Sequence, residues 1–171
     1  MQTRPVIKLS LSPLDKKMEW AGAILLVLLW LFTGWSYFQL PAIIPVHFNG
    51  AGKADSYGSK MTLFIMPVLG TLIYLGITQL NKYPHIFNYM TAITEENAHR
   101  QYSIATRMLR FLKLAIVIIF SLIIVFVYLS ATGASDGPGP WFLPLILVII
   151  LLPTIIGIGH SLKDPGKKEK N

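Results

Sequence analysis

The sequence predicts an all-α, polytopic membrane protein with four transmembrane helices and both termini cytoplasmic. Three observations carry this prediction. Four long apolar runs are free of charge, only 13% of the 171 residues are charged where soluble domains carry roughly a quarter, and Lys and Arg are distributed unevenly between the runs. Mean hydropathy is +0.56. Four spans leave no room for a separate soluble domain of ordinary size. Cysteine is absent, which excludes a disulfide framework and a thiolate metal site.

Residues 1–17 are expected to form a polar cytoplasmic arm, with Pro5 and Pro13 arguing against one continuous helix there. The first span is placed at about 19–40 within a transmembrane domain covering 18–160. It is too long and too rich in bulky residues (Trp35, Tyr37, Phe38) for a signal peptide, so no cleavage is expected. An outer loop, 41–60, follows, then a second span at 61–81, in which Pro67 should kink the helix. Residues 82–108 read as a cytoplasmic connector and a helix extension. Thr94 is the expected N-cap, with Glu95 and Glu96 in the first turn, where the helix dipole favours anions. That helix continues into the third span at 109–130. The Gly- and Pro-rich stretch 131–140 is a second outer loop. The fourth span, 141–160, contains Pro144 and Pro153, and a basic tail covers 161–171.

Charge placement sets the orientation. Thirteen of the fifteen Lys and Arg residues fall in the arm, the connector with its helix, and the tail, whereas the two loops opposite contain only Lys53 and Lys60. The positive-inside rule therefore places both termini in the cytoplasm and residues 41–60 outside.

The outer loop, PAIIPVHFNGAGKADSYGSK, holds the candidate ligand-binding residues His47, Asn49, Asp55 and Lys60. Asn49-Gly50 is a turn pair, and Ile44, Val46 and Phe48 alternate around His47, so a small hairpin or irregular cap is one expected outcome. Three readings apply. In the first, Asp55 and Lys60 pair with each other or with backbone groups and His47 caps the turn. In the second, Lys60 contacts a phosphate or carboxylate while His47 and Asn49 hydrogen-bond a peptide or lipid headgroup. In the third, the loop is a metal or hydrolytic site, with Ser56 and Ser59 completing a nominal Ser/His/Asp set. Topology weighs against the third, because His85, His99 and His160 fall on the inner side, about 30 Å of hydrocarbon away. No catalytic residue, metal ligand or cofactor is assigned.

On the inner face, Arg107, Arg110 and Lys113 read as contacts to anionic headgroups or to a partner protein. The cations are split among short segments, which excludes nucleic acid as a partner. The spans hold no acidic or basic residue at mid-depth, which argues against a proton-coupled pump or an ion channel lined by charges.

The stretch LPAIIPVHFNGAGKADSYGSK resembles the pattern LP-x-x-IP-x-HFN-x-x-G-x-x-D-x-x-GSK of a bacterial family of domains of unknown function, numbered 1648. That domain also forms the N-terminal part of SdpI-type toxin-immunity proteins. The stretch YPHIFNYMTAITEENAHRQYSIATRMLRFLKL resembles the family's central connector, so the likeness covers roughly residues 20–129. It implies a bacterial plasma-membrane protein whose outer motif, Pro45, His47, Phe48, Asn49, Gly52, Asp55, Gly58 and Lys60, carries any functional site, with Pro45, Phe48, Gly52 and Gly58 as its scaffold. Three roles follow as expectations. The outer loop binds an extracellular peptide, toxin or lipid headgroup in an immunity-like or protective role. Alternatively, the chain is an accessory subunit of a transporter or signalling system, acting through its cytoplasmic helix on a membrane or cytoplasmic partner. The third role is an outer-face metal-dependent or hydrolytic enzyme.

Overall fold

The computed structural model describes residues 4–163; residues 1–3 of the arm and 164–171 of the expected basic tail lie outside the described residues. The elements are α1 (Pro13–Gln39), β1 (Ile43–Phe48), β2 (Ala54–Ser59), α2 (Ile65–Leu80), α3 (Glu95–Ala131) and α4 (Phe142–Leu162). Counting the single turn of 3-10 helix (Lys60–Phe64) that leads into α2, four helices are long and apolar enough to cross a membrane.

The first helix begins more than a turn before the expected position. Ser12 Oγ accepts a bond from the Asp15 amide at 3.2 Å, the Asp15 carboxylate accepts one from the Ser12 amide at 3.0 Å, and Pro13 occupies the first turn. This reciprocal cap turns the end of the expected arm into helix. The helix ends at Gln39 because Pro41 forces Leu40 into an extended conformation (ψ 150°).

The all-α expectation is corrected by β1 and β2, which pair antiparallel as a two-stranded sheet. β-Branched residues run into the Asn49-Gly50 turn, and the short link between two helix ends satisfies its backbone by pairing with itself. Ile44, 1% exposed, anchors the hairpin in a core with Leu29, Leu40, Leu63, Ile124 and Val127. The expected alternation breaks at Val46, which is 40% exposed. Irregularities in the register on both sides of His47 rotate the following side chains out of phase.

Pro67 does not interrupt a helix interior. It is the third residue of α2, after the 3-10 turn, where its missing N–H has no obligatory partner. In α3, Thr94 is the N-cap as expected, but its reciprocal partner is Asn97. Ala98, Tyr102, Thr106, Arg110, Lys113, Val117 and Ile124 recur at intervals of three, four and seven residues and form the buried face of this 37-residue helix. α3 packs against α1, α2, α4 and β1, whereas the other helices meet one another less. Among the described residues of α4 only Gly157 is buried, with apolar side chains around its circumference. A helix apolar all round is built for lipid or for a partner helix.

The loop between α3 and α4 docks on the hairpin tip by backbone contacts. Gly139 N–H donates to Gly52 O and the Ala54 amide to Asp136 O, each at 3.3 Å. Gly52 has φ +71°, and a Cβ there would collide with the Gly139 backbone. Gly52→Ala is therefore expected to cost about 1–2 kcal/mol or more and to lower the melting temperature of the purified protein. Gly50→Ala, where a Cβ meets nothing within 4 Å, should melt like the parent.

Candidate functional site

At the hairpin, Asn49 organises the turn. Its Oδ1 accepts from the Ala51 amide at 2.9 Å and the Lys53 amide at 3.1 Å, and its own amide donates to Lys53 O. The turn is therefore capped by Asn49, a role first considered for His47. His47 Nδ1 lies 2.5 Å from Asp55 Oδ1, the pair bridging the two strands, with side chains 66% and 40% exposed. A pair this open contributes about 0–1 kcal/mol to stability. The carboxylate fixes the imidazole's orientation and leaves Nε2 as its second hydrogen-bonding nitrogen.

Lys60 is drawn away from this pair. Its Nζ donates to Tyr37 O at 2.9 Å and Leu40 O at 3.1 Å and lies 4.6 Å from the Tyr37 ring centroid. A cation on the last carbonyls of α1 complements the negative end of that helix. Of the four candidate ligand-binding side chains, the structure brings His47, Asn49 and Asp55 together and commits Lys60 to a helix end. Ser59 caps the following 3-10 turn through a bond from the Met61 amide, and Ser56 faces His47 across the strands.

The scaffold residues have separate tasks. Pro45 is buried beside Ile44. Gly58 faces Val46, whose Cγ1 would stand 3.1 Å from an added Cβ. Phe48 packs beneath Gly137 of the second loop. Between hairpin and helices lies a cavity of about 420 Å³, walled by Met66, Val127, Phe142 and Ile146, with His47 and Asn49 on its hairpin side. Among the described residues, no cluster of three or more His, Cys, Asp or Glu side chains is present.

At the opposite end of the bundle, Arg107, Arg110 and Lys113 all turn toward α1. Arg107 Nε donates to Asp15 Oδ1 at 3.0 Å, Arg110 Nε to Glu19 Oε1 at 3.0 Å, and Lys113 Nζ to Glu19 Oε2 at 2.5 Å. Their side chains are 38%, 7% and 0% exposed, in that order. Arg110 and Lys113 are thus enclosed rather than offered to headgroups, because two carboxylates on α1 meet them; Arg107 keeps an open flank. Lys113 Nζ also donates to Thr78 Oγ1 at 2.8 Å and sits 4.3 Å from the Tyr74 ring centroid, while Tyr74 OH donates to Glu19 O. One ammonium therefore joins α1, α2 and α3. Asp15 and Glu19 were not singled out from the sequence. The signal was present: Ser12-Pro13-x-Asp15 is a capping pattern, and carboxylates four apart match cations three apart.

The N-terminal half of α3 is wrapped rather than bare. Tyr102 OH donates to Pro5 O, Arg4 to His85 O and Phe87 O, Gln101 Nε2 to Ser161 O, and Arg100 to the His160 and Lys163 carbonyls. Burial raises the Tyr89 phenol above its ordinary pKa, so its hydroxyl stays a donor, to Pro84 O at 2.8 Å. Glu19→Gln would leave Lys113 and Arg110 facing a neutral amide. Losing one partner of an enclosed ion pair costs about 3–5 kcal/mol. Because Glu19 is 26% exposed, the expected loss lies at the low end. Thermal unfolding in detergent should show Glu19→Gln well below the parent, with Glu19→Gln/Lys113→Met recovering part of the difference.

The family-model match falls on the hairpin half of the chain. Residues 24–71 match the family model described as Domain of unknown function (DUF1648). This segment spans the C-terminal part of α1, the whole hairpin and the start of α2. The chain is also 36% identical over 93 residues to an uncharacterized protein of Archaeoglobus fulgidus, an alignment covering 48% of this chain and 51% of that protein. It thus spans about half the length of this relative. No solved structure matches.

Proposed function

We propose that the chain is a non-enzymatic binding protein of the bacterial plasma membrane, with both termini cytoplasmic and the hairpin on the outer surface. There it engages an extracellular peptide, such as a toxin, in a protective role. The observation carrying this reading is the pairing of an exposed His47–Asp55 dyad with the apolar cavity of about 420 Å³ beneath it. A polar clamp above an apolar recess fits an amphipathic peptide, whose backbone or charged group meets the dyad while an apolar side chain enters the recess. The volume is in the range of ligand cavities, roughly 300–1,000 Å³. The resemblance of the loop to the N-terminal part of SdpI-type immunity proteins agrees with such a role, and the distribution of cations supports the orientation.

The dyad contributes little to folding, so its removal tests binding. His47→Ala and Asp55→Ala, at unchanged membrane abundance, should each lower the tolerated dose of an extracellular membrane-active peptide by about tenfold, the equivalent of one charge-assisted hydrogen bond. Ile146→Trp, which fills the recess, should do the same. Unchanged tolerance in all three variants would remove the binding face. Orientation is tested separately, because the chain lacks cysteine. A single cysteine at Gly50 should react with an impermeant maleimide on intact cells, and one at Ser10 only after permeabilisation. The reverse pattern would place the hairpin in the cytoplasm.

A further inference from the structure

A second cavity, of about 580 Å³, lies at the ion-pair end of the bundle, far along α1 and α2 from the hairpin. Its walls are the arm residues Ile7, Lys8, Leu9 and Leu11, the end of α2 at Thr78 and Asn81, the connector residues Lys82 and Pro84, and Glu19 and Arg110. The arm that closes it is held in place. Arg4 donates to the His85 and Phe87 carbonyls of the connector, and Tyr102 of α3 donates to Pro5 O at 3.0 Å.

Two observations point to a ligand. The first is charge: Lys8, Lys82 and Arg110 line the space against the single carboxylate of Glu19, whose oxygens already accept from Arg110 and Lys113. The second is Asn81. Its side-chain nitrogen and oxygen are both buried and have no hydrogen-bond partner, although Asn81 lines the cavity. Buried amides are normally paired, and an amide in the same cavity wall as two lysines supplies a donor set of the kind that recognises a tetrahedral oxyanion. Ile7, Leu9, Leu11 and Pro84 supply apolar wall on the other side, suited to a chain attached to that anion.

We infer that this cavity binds a phosphate group, held by Lys8 and Lys82, with the enclosed Asn81 amide turning into the cavity to donate to it. The source is either the headgroup of an anionic lipid or a free phosphate. The site is independent of the outer hairpin, so failure of one reading leaves the other standing.

The test uses the full chain purified in a neutral, phosphate-free detergent, titrated with dioctanoyl-phosphatidylglycerol, with inorganic phosphate and with dioctanoylglycerol, and read by thermal shift. Saturable binding of phosphatidylglycerol or of inorganic phosphate, but not of the uncharged diacylglycerol, is expected. Lys8→Gln/Lys82→Gln should weaken it by roughly tenfold or more, and Asn81→Leu should weaken it with the charges intact. Lys16→Gln/Lys17→Gln, an exposed pair outside the cavity, should stay within about twofold. The probe-free melting temperature of each variant verifies its fold. Displacement of the lipid by inorganic phosphate identifies the phosphate alone as the recognised group, and binding of the lipid alone identifies a headgroup with its chain. Absence of saturable binding of either probe, or equal weakening by the two lysine pairs, would overturn the assignment.

Discussion

A lysine ammonium with no exposure cannot be held inside a helix bundle without a counterion and further acceptors, and Lys113 imposes that requirement on three helices at once. Glu19 must approach from α1 and Thr78 and Tyr74 from α2, which fixes the relative height of the three helices at this end. Apolar packing against lipid gives little such registration, since one leucine face resembles another. The salt-bridged end therefore specifies the arrangement, and the apolar length beyond it fills in. Aromatic pairs such as Trp35 with Tyr128 and Phe32 with Tyr128 continue the α1–α3 contact toward the hairpin.

The two ends of the bundle treat polar residues in opposite ways. At the ion-pair end Asp15, Glu19, Arg110 and Lys113 are largely enclosed and satisfy one another, which favours rigidity. At the hairpin, His47 and Asp55 are exposed and fixed to each other, above a recess lined by apolar side chains. A site built this way presents hydrogen-bonding capacity without first breaking a structural contact. That property sets the dyad apart from Lys60, whose three donors are largely absorbed by the carbonyls of α1.

The four long helices were legible because apolar length is a one-dimensional property, readable without knowing what touches what. Thr94 was legible for the same reason, since a cap is a local event. The start of α1 was misplaced because charged residues 15–19 look like an arm when read alone; their burial depends on partners about ninety positions away. The hairpin was visible in Asn49-Gly50, but the outward turn of Val46 was not, because register irregularities come from pairing geometry that composition does not record. At the candidate site, the expected pairing of Asp55 with Lys60 gives way to His47 with Asp55, because the strand register sets one contact and the end of α1 claims the other side chain. The basic cavity behind the arm left no motif at all, since its residues come from four separate stretches of the chain.

The glycine-to-glycine contact between the hairpin and the α3–α4 loop has a mechanical meaning. α4 is gripped at its C-terminal end by Arg100 and Gln101, and at its N-terminal end the loop before it rests on the hairpin through peptide groups and the Phe48 ring beneath Gly137. That makes the hairpin tip a clasp on the gap between α3 and α4. The ring of Phe126 on α3 also meets Trp141 and Phe142, so the recess is shut at this end by two latches, one of peptide groups and one aromatic, that would have to part together.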